Sequence, residues 1–387
     1  MTQGPASTLF LFHFPSNTGY ALAPLERTFY EVGLELAGGD SGRVYFGYPG
    51  ISTGPPRSLP AGFTNLVSFD YGDRSARNHR YLADYVRAHA IELVVIFDIQ
   101  PVHPLFKALR EGGVKTIIAY WGAPICPLMP RWRLALKKLG IVLSRSKVES
   151  LVFESQAMAD FALRGRGVPP RMIDIVPLGV DTEIFKPLPS AHVYKQFDFP
   201  RERKVIVYAG HMERRKGVHV LVEAAIELLL RRRRADVCFL ICGNQEEESK
   251  EYERMYAGQG IDHLIRFGGY RSDLARIYPS CFCGVIPSSG WDSFAFGSIE
   301  MAASGLPVIA SRLQGLTDAV VENETGLHFT PGNAQELADC IEKLLDDPAL
   351  AAQYGSNGRK RCEEELSIVK QRERLLQVFQ KRLSAAG

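Results

Sequence analysis

The chain has 387 residues, of which 46% are hydrophobic and 23% charged, and its formal net charge is +3. That length calls for two domains rather than one core, the composition is globular, and so small a net charge makes no electrostatic case for nucleic acid. Seven cysteines show neither zinc-ligand spacing nor a paired framework; Cys281 and Cys283 fall in an apolar strand pattern, where buried thiols fit a reducing cytosol.

Thr8-Leu-Phe-Leu-Phe-His-Phe14 is too short for a signal peptide, lacks its basic lead-in, and reads as a first strand. No apolar run reaches the roughly 18 residues a membrane span needs. Through the first half, strands are expected at 8–13, 43–47, 93–97, 115–120, 150–153 and 173–176, and helices at 21–37, 74–89, 103–111 and 156–164. Short apolar strands separated by helical periods predict a parallel, doubly wound α/β sheet. Ligands of such sheets bind beyond the strand C-termini, which points to Asp98, Gln100, His103 and the Tyr120-Trp121-Gly122 turn. His103, opening a helix, reads as structural. Gly19, in Ser16-Asn-Thr-Gly-Tyr20, fits a plain turn.

Pro130-Arg-Trp-Arg-Leu-Ala-Leu-Lys-Lys-Leu-Gly140 is a basic helical stretch with Trp132, Leu136 and Leu139 on one face. A helix lying on anionic lipid and a solvated surface helix explain it equally. Residues 175–181 close the first domain, and 185–189, rich in proline, form a linker. The alternation then repeats, with strands at 204–208, 237–242 and 264–267, a helix from 217 to about 232 and a short one at 272–278. The tail from about residue 349 reads as two helices. The expected domains are 1–185, 186–365, and a final helix over 366–387.

The most informative stretch runs from Pro287 to Ala310. It carries Asp292 and Glu300 with seven residues between them, after an apolar strand at 281–286. Ser293 is placed to cap a helix from Phe294 to about Ser304, ended by Gly305 and Pro307. A helix N-terminus attracts a phosphate, and a carboxylate accepts from two vicinal hydroxyls, so a nucleotide-sugar fits the set. Two solvated acids on a crossover helix fit the spacing as well.

This stretch resembles the acid–seven–acid signature of retaining glycosyltransferases of the GT-B fold, family 4, with Asp292 in place of the first Glu and Ala295 in place of the usual Gly. The resemblance continues through Tyr208-Ala-Gly-His-Met-Glu-Arg-Arg-Lys-Gly217, Pro177-Leu-Gly-Val-Asp-Thr-Glu-Ile-Phe-Lys-Pro187, Gln314-Gly-Leu-Thr-Asp318 and Thr325-Gly-Leu-His-Phe-Thr-Pro-Gly332. It implies two Rossmann-like domains facing a cleft, acceptor on the first, nucleotide-diphospho-sugar on the second, and a last helix returning to the first. It implies catalytic roles for Asp292 and Lys216, and donor-binding roles for Glu300, His211, Arg215, Tyr270, Phe294, Phe296, Gly297 and Ser298. Lys216 matches the diphosphate Lys. His211 stands where relatives have Arg, with Arg214 or Arg215 near enough to compensate. Gly19 and Trp121 mark the acceptor side, Trp121 replacing a His of the relatives.

The implied activity is hexosyl transfer with retention from a UDP- or GDP-linked sugar, without metal or other cofactor, to a lipid-linked or cell-surface glycan in polysaccharide biosynthesis. The alternatives are a small-molecule acceptor, a non-catalytic sugar-nucleotide-binding subunit, or an epimerase on the same fold. The implied location is the cytoplasm, with a peripheral site on the inner face of an anionic membrane through Arg131, Arg133, Lys137 and Lys138.

Overall fold

A computed structural model describes residues 4–17, 22–51, 54, 56–122, 130–245 and 247–385. Two units separate along the chain, Met1–Pro177 with Val369–Gly387, and Leu178–Ile368.

The first unit holds strands β1 (Ser7–Leu11), β2 (Val44–Tyr48), β3 (Leu66–Ser68), β4 (Ile91–Phe97), β5 (Thr116–Trp121), β6 (Ser150–Phe153) and β7 (Ile173–Ile175). All pair in parallel, in the order β3-β2-β1-β4-β5-β6-β7. Helices α1 (Leu22–Leu36), α2 (Ala76–Ala88), α3 (Leu105–Glu111), α4 (Arg131–Leu143) and α5 (Gln156–Arg166) follow strands along the chain. A parallel sheet is covered on both faces, so its strands are continuous apolar runs. Leu9, Leu11, Val94, Ile96, Ile117 and Leu151 share one core cluster. The alternate positions of β1 and β2 turn aromatic, with Phe10 stacked on Phe29 at 5.1 Å and Phe12 on Tyr48 at 5.3 Å. β3 was not among the expected strands. Only Val67 of its three residues is buried, too little for a periodic signal.

The second unit repeats the plan with β8 (Lys204–Ala209), β9 (Val237–Cys242), β10 (Ile265–Gly269), β11 (Cys283–Ile286), β12 (Val308–Ser311) and β13 (Gly326–Phe329), parallel in the order β10-β9-β8-β11-β12-β13. Its helices are α6 (His192–Phe197), α7 (Val218–Ile226), α8 (Lys250–Glu253), α9 (Leu274–Ile277), α10 (Phe296–Ala303), α11 (Leu316–Ala319), α12 (Ala334–Asp346) and α13 (Pro348–Glu364). The fold class is α/β, with two Rossmann-like units. Composition put the first boundary at residue 185, whereas residues 178–185 pack with the second unit. Arg359 is one tie: its Nη1 donates to the carbonyls of Thr182, Phe185 and Ala303 at 3.0, 2.7 and 2.9 Å, while Val180 bridges to Ser367 and Phe185 packs on Tyr278.

The final helix, α14 (Ile368–Ser384), packs on the first unit through buried Leu375, Phe379 and Leu383. Arg382 fixes it there by donating two hydrogen bonds to Asp174 Oδ2, at 3.0 and 2.6 Å, from β7. Among the described residues no helix is long and apolar enough to cross a membrane.

Candidate active site

In an open parallel sheet, ligands bind beyond the strand C-termini where the strand order reverses. In the second unit that point lies between β8 and β11. The loops leaving these strands, residues 210–217 and 287–295, are knitted together. Gly217 has φ +73°, and a Cβ there would sit 1.8 Å from the Pro287 carbonyl oxygen, so only glycine permits the approach. The N–H groups of Ser289 and Gly290 both donate to the Arg215 carbonyl, at 2.8 and 3.0 Å. Tyr208 and Tyr252 hydroxyls clamp the first loop from behind, donating to the carbonyls of His211 and Met212. Burial pushes the Tyr208 hydroxyl well above the usual tyrosine range, so it stays a donor.

These contacts bring Lys216 Nζ to 2.7 Å from Asp292 Oδ2. Ser288 Oγ donates to the same oxygen at 2.8 Å. The Asp292 side chain is 4% exposed and that of Lys216 17%, so the pair is sheltered, the acid more than its partner. The Asp292 backbone is held too, its N–H donating to Gln314 Oε1 at 3.1 Å and its carbonyl accepting from Gly315 at 3.3 Å. Ser288 and Gln314 were not singled out as site residues, although both lie inside the quoted motif blocks. Their role depends on where Asp292 points, which no spacing reveals.

Arg215 braces the loops. Its guanidinium lies 4.0 Å from the Trp291 ring centroid and bonds Glu213 at 2.6 Å and the Trp291 carbonyl at 3.3 Å. It is therefore a tether, and Arg214 and His211 are exposed on this loop beside Glu213.

The expected helix carrying the second acid is present but shorter. α10 begins at Phe296 rather than Phe294, and Ser293 does not cap it. The preceding residue, Ala295, takes φ +65° and ψ 105°, territory that glycine occupies without cost, and makes no side-chain cap. Phe294 is buried, and this inward turn of the chain delays the helix by two residues. Ser298, expected to meet the donor, is turned inward. Its hydroxyl donates to the carbonyl of Ala295 at 2.7 Å and its N–H to the same oxygen at 3.1 Å. The first turn leaves the N–H groups of Phe296 and Gly297 outside the helical ladder, and Gly297 abuts the end of β8, 3.3 Å from the Ala209 oxygen at its Cβ position. Glu300 lies one turn further in and is buried and engaged. At the end of β10, the Gly269 N–H donates to Asn244 Oδ1 at 2.8 Å, and Tyr270 stands 67% exposed. Asn244 was not anticipated.

In the first unit Gly19 lies outside the described residues. Trp121 was expected on the acceptor side but closes β5 inside the core cluster, 5% exposed, because a central strand of a doubly covered sheet buries every side chain. His103 is structural, its Nδ1 accepting the Leu105 N–H at 3.2 Å. On α4, Ile141 is buried while Trp132, Leu136, Leu139 and Leu143 are all more than half exposed among basic residues.

Two Rossmann-like parallel sheets, the second with a Lys–Asp pair and a helix N-terminus at its switch point, give the chain the GT-B architecture of solved glycosyltransferases. Residues 193–361 match the sequence model described as glycosyl transferases group 1. Similarity to the D-inositol 3-phosphate glycosyltransferase of Corynebacterium aurimucosum is 31% identity over 186 residues, 46% of this chain and 44% of that protein. Similarity to the MMP alpha-(1->4)-mannosyltransferase of Mycolicibacterium hassiacum is 29% over 272 residues, 68% of this chain and 60% of that one. The match spans less than half the length of the first curated relatives. Among solved structures, a glycosyltransferase from Rickettsia africae superposes with a TM-score of 0.81 at 18% identity, covering 98% of this chain and 99% of that one. Anabaena HepE, solved with UDP, has a TM-score of 0.76 at 17% identity, covering 97% and 100%. At these identities the likeness is one of fold.

Proposed function

We propose that the protein transfers a hexosyl group, with retention, from a UDP- or GDP-linked sugar to a lipid-linked or cell-surface glycan. The observation that carries this reading is the Lys216–Asp292 contact at the switch point of a glycosyltransferase group 1 domain. An ammonium has three donors. One meets Asp292, and two remain for diphosphate oxygens. Lys216 and the first turn of α10 stabilise the negative charge that develops on the leaving diphosphate, in the place a metal ion would take. Asp292, held rigidly by Lys216, Ser288, Gln314 and Gly315, orients a sugar hydroxyl. Glu300 accepts from the ribose diol, and Gly269 and Tyr270 face the base. The C1–O bond to the diphosphate breaks, the acceptor oxygen attacks C1 from the same face, and its proton passes to the departing phosphate oxygen.

The acceptor belongs to the first unit. Exposed Trp132, Leu136 and Leu139 among Arg131, Arg133, Lys137 and Lys138 fit α4 to the interface of an anionic membrane, at its inner face, in a cytoplasmic protein. WaaG, described as a glycosyltransferase involved in lipopolysaccharide biosynthesis, shares the fold with a TM-score of 0.69. A small-molecule acceptor is the second reading, favoured by the name of the inositol-phosphate relatives. Release of nucleoside diphosphate from a panel of UDP- and GDP-sugars, with and without membrane glycolipid, tests the proposal. One donor should be consumed faster with acceptor present. Failure of every donor to bind or react removes the enzymatic reading.

A further inference from the structure

Helix C-termini leave carbonyls that the helix itself cannot satisfy. Four residues beyond Ala303, at the end of α10, stands Pro307, which has no N–H to give. Four residues beyond Ala319, at the end of α11, stands Asn323, whose N–H goes to the Gly326 carbonyl at 2.9 Å. Both helix ends are met instead by side chains of α13. Arg359 Nη1 donates to the Ala303 carbonyl at 2.9 Å. Arg361 Nη1 and Nη2 donate to the carbonyls of Ala319 and Asp318 at 2.7 and 2.6 Å. A cation at a helix C-terminus also complements the negative end of the helix dipole. The two arginine side chains are only 17% and 20% exposed, so these bonds are sheltered from water.

Between the arginines, α13 closes tightly on α10. A Cβ at Gly355 would lie 2.1 Å from the Gly305 oxygen, and one at Gly358 3.3 Å from the Ala302 Cβ. Cys362 Sγ lies 3.5 Å from the Ile299 oxygen. Gly355, Gly358, Arg359 and Cys362 have the three-and-four spacing of one helix face, and Arg361 reaches round its flank to α11. The two helices held this way have 8 and 4 residues, too short to fix their own positions. α10 is about 12 Å long, so a displacement of its last turn is carried to its first. α11 follows directly on Gln314 and Gly315, which hold the N–H and the carbonyl of Asp292. We infer that Arg359 and Arg361 are positioning residues of the donor side, Arg359 setting the first turn of α10 and Arg361 setting the loop that orients Asp292; the link to a donor rests on the transferase reading above.

Amide hydrogen exchange in the full chain tests this without any ligand. Arg359→Met should speed exchange at residues 298–300 at least tenfold and leave 315–318 within twofold. Arg361→Met should do the reverse. Glu363→Gln removes the carboxylate partner of Arg359 and spares its carbonyl bonds, so both segments should stay within twofold of wild type. Unchanged exchange in the arginine variants, or exchange raised alike in both segments, overturns the inference. Should Met unfold the chain, Arg359→Lys and Arg361→Lys keep the charge but lose the planar fork, and the same pattern at threefold or more decides. A second readout is functional. Arg359→Met should weaken UDP or GDP binding at least tenfold by calorimetry. Arg361→Met should keep that affinity within twofold and lower kcat at least tenfold. Equal losses of affinity and kcat in both variants overturn the division of roles. A wild type that binds neither nucleotide and transfers no sugar defeats the proposed function, and exchange alone then decides whether the two arginines set these segments.

Discussion

The two units present the same topological feature in two chemical forms. At the switch point of the second, Lys216 and Asp292 touch at 2.7 Å in a sheltered setting. At that of the first, His13 and Asp98 stand 4.0 Å apart, the His half-exposed and the Asp largely buried. A direct ion pair presents a permanent cation in a fixed place, as a diphosphate requires. The comparison teaches that one fold, used twice, can place chemically different pairs at equivalent strand ends: a touching cation and acid in one unit, a separated imidazole and acid in the other.

The sharpest way to break the comparison is to remove the cation. Lys216→Ala should slow turnover about 30- to 1,000-fold, the effect of losing roughly 2–4 kcal/mol of electrostatic stabilisation. It should also lower folding stability by about 3–5 kcal/mol, since Asp292 is left buried without its counter-ion. Combining Lys216→Met with Asp292→Asn should restore most of the stability in urea melts and none of the turnover. Full turnover in Lys216→Ala would mean that the diphosphate is held elsewhere.

The next test concerns what each unit receives, a soluble donor or a surface-borne acceptor. Changing Arg131, Arg133, Lys137 and Lys138 to Gln should abolish co-sedimentation with anionic vesicles at low salt, each charge contributing about 1 kcal/mol. Wild type should sediment with anionic and not neutral vesicles, and lose that binding in high salt. If wild type and variant behave alike, α4 is a solvated face and the second acceptor reading gains.

A smaller effect probes the nucleotide. Glu300→Gln should weaken binding of the free nucleoside diphosphate by about 1.5–3 kcal/mol, the worth of hydrogen bonds to a charged acceptor. Calorimetry showing unchanged affinity would take Glu300 out of the site. The smallest concerns the backbone. Ala295→Gly should raise stability by about 1 kcal/mol, because glycine adopts φ +65° without the Cβ clash. An unchanged urea midpoint would show that the turn stores no strain.

Much of this was legible before any coordinates. Runs such as Leu93-Val-Val-Ile-Phe97 and Val237-Cys-Phe-Leu-Ile-Cys242 have the length and β-branched content of strands buried on both faces, and their alternation with helical periods points to a parallel α/β arrangement. The acid–seven–acid spacing and the Lys216 loop are local patterns, and the family they resemble is the one that residues 193–361 match. The helix start at Ser293 was misread because a capping residue is a local preference, whereas the positive φ at Ala295 and the burial of Phe294 are decided by what lies beneath them. The pairs themselves were illegible. Lys216 and Asp292 are 76 residues apart, and only the adjacency of β8 and β11 brings them together. His13 and Asp98 come to 4.0 Å of each other because β4 pairs with β1 and not with β3. Local sequence encodes which residues form a strand, through periodicity and side-chain shape. Which strands become neighbours is set by burial of the whole sheet, so the chemistry at their ends belongs to tertiary structure alone.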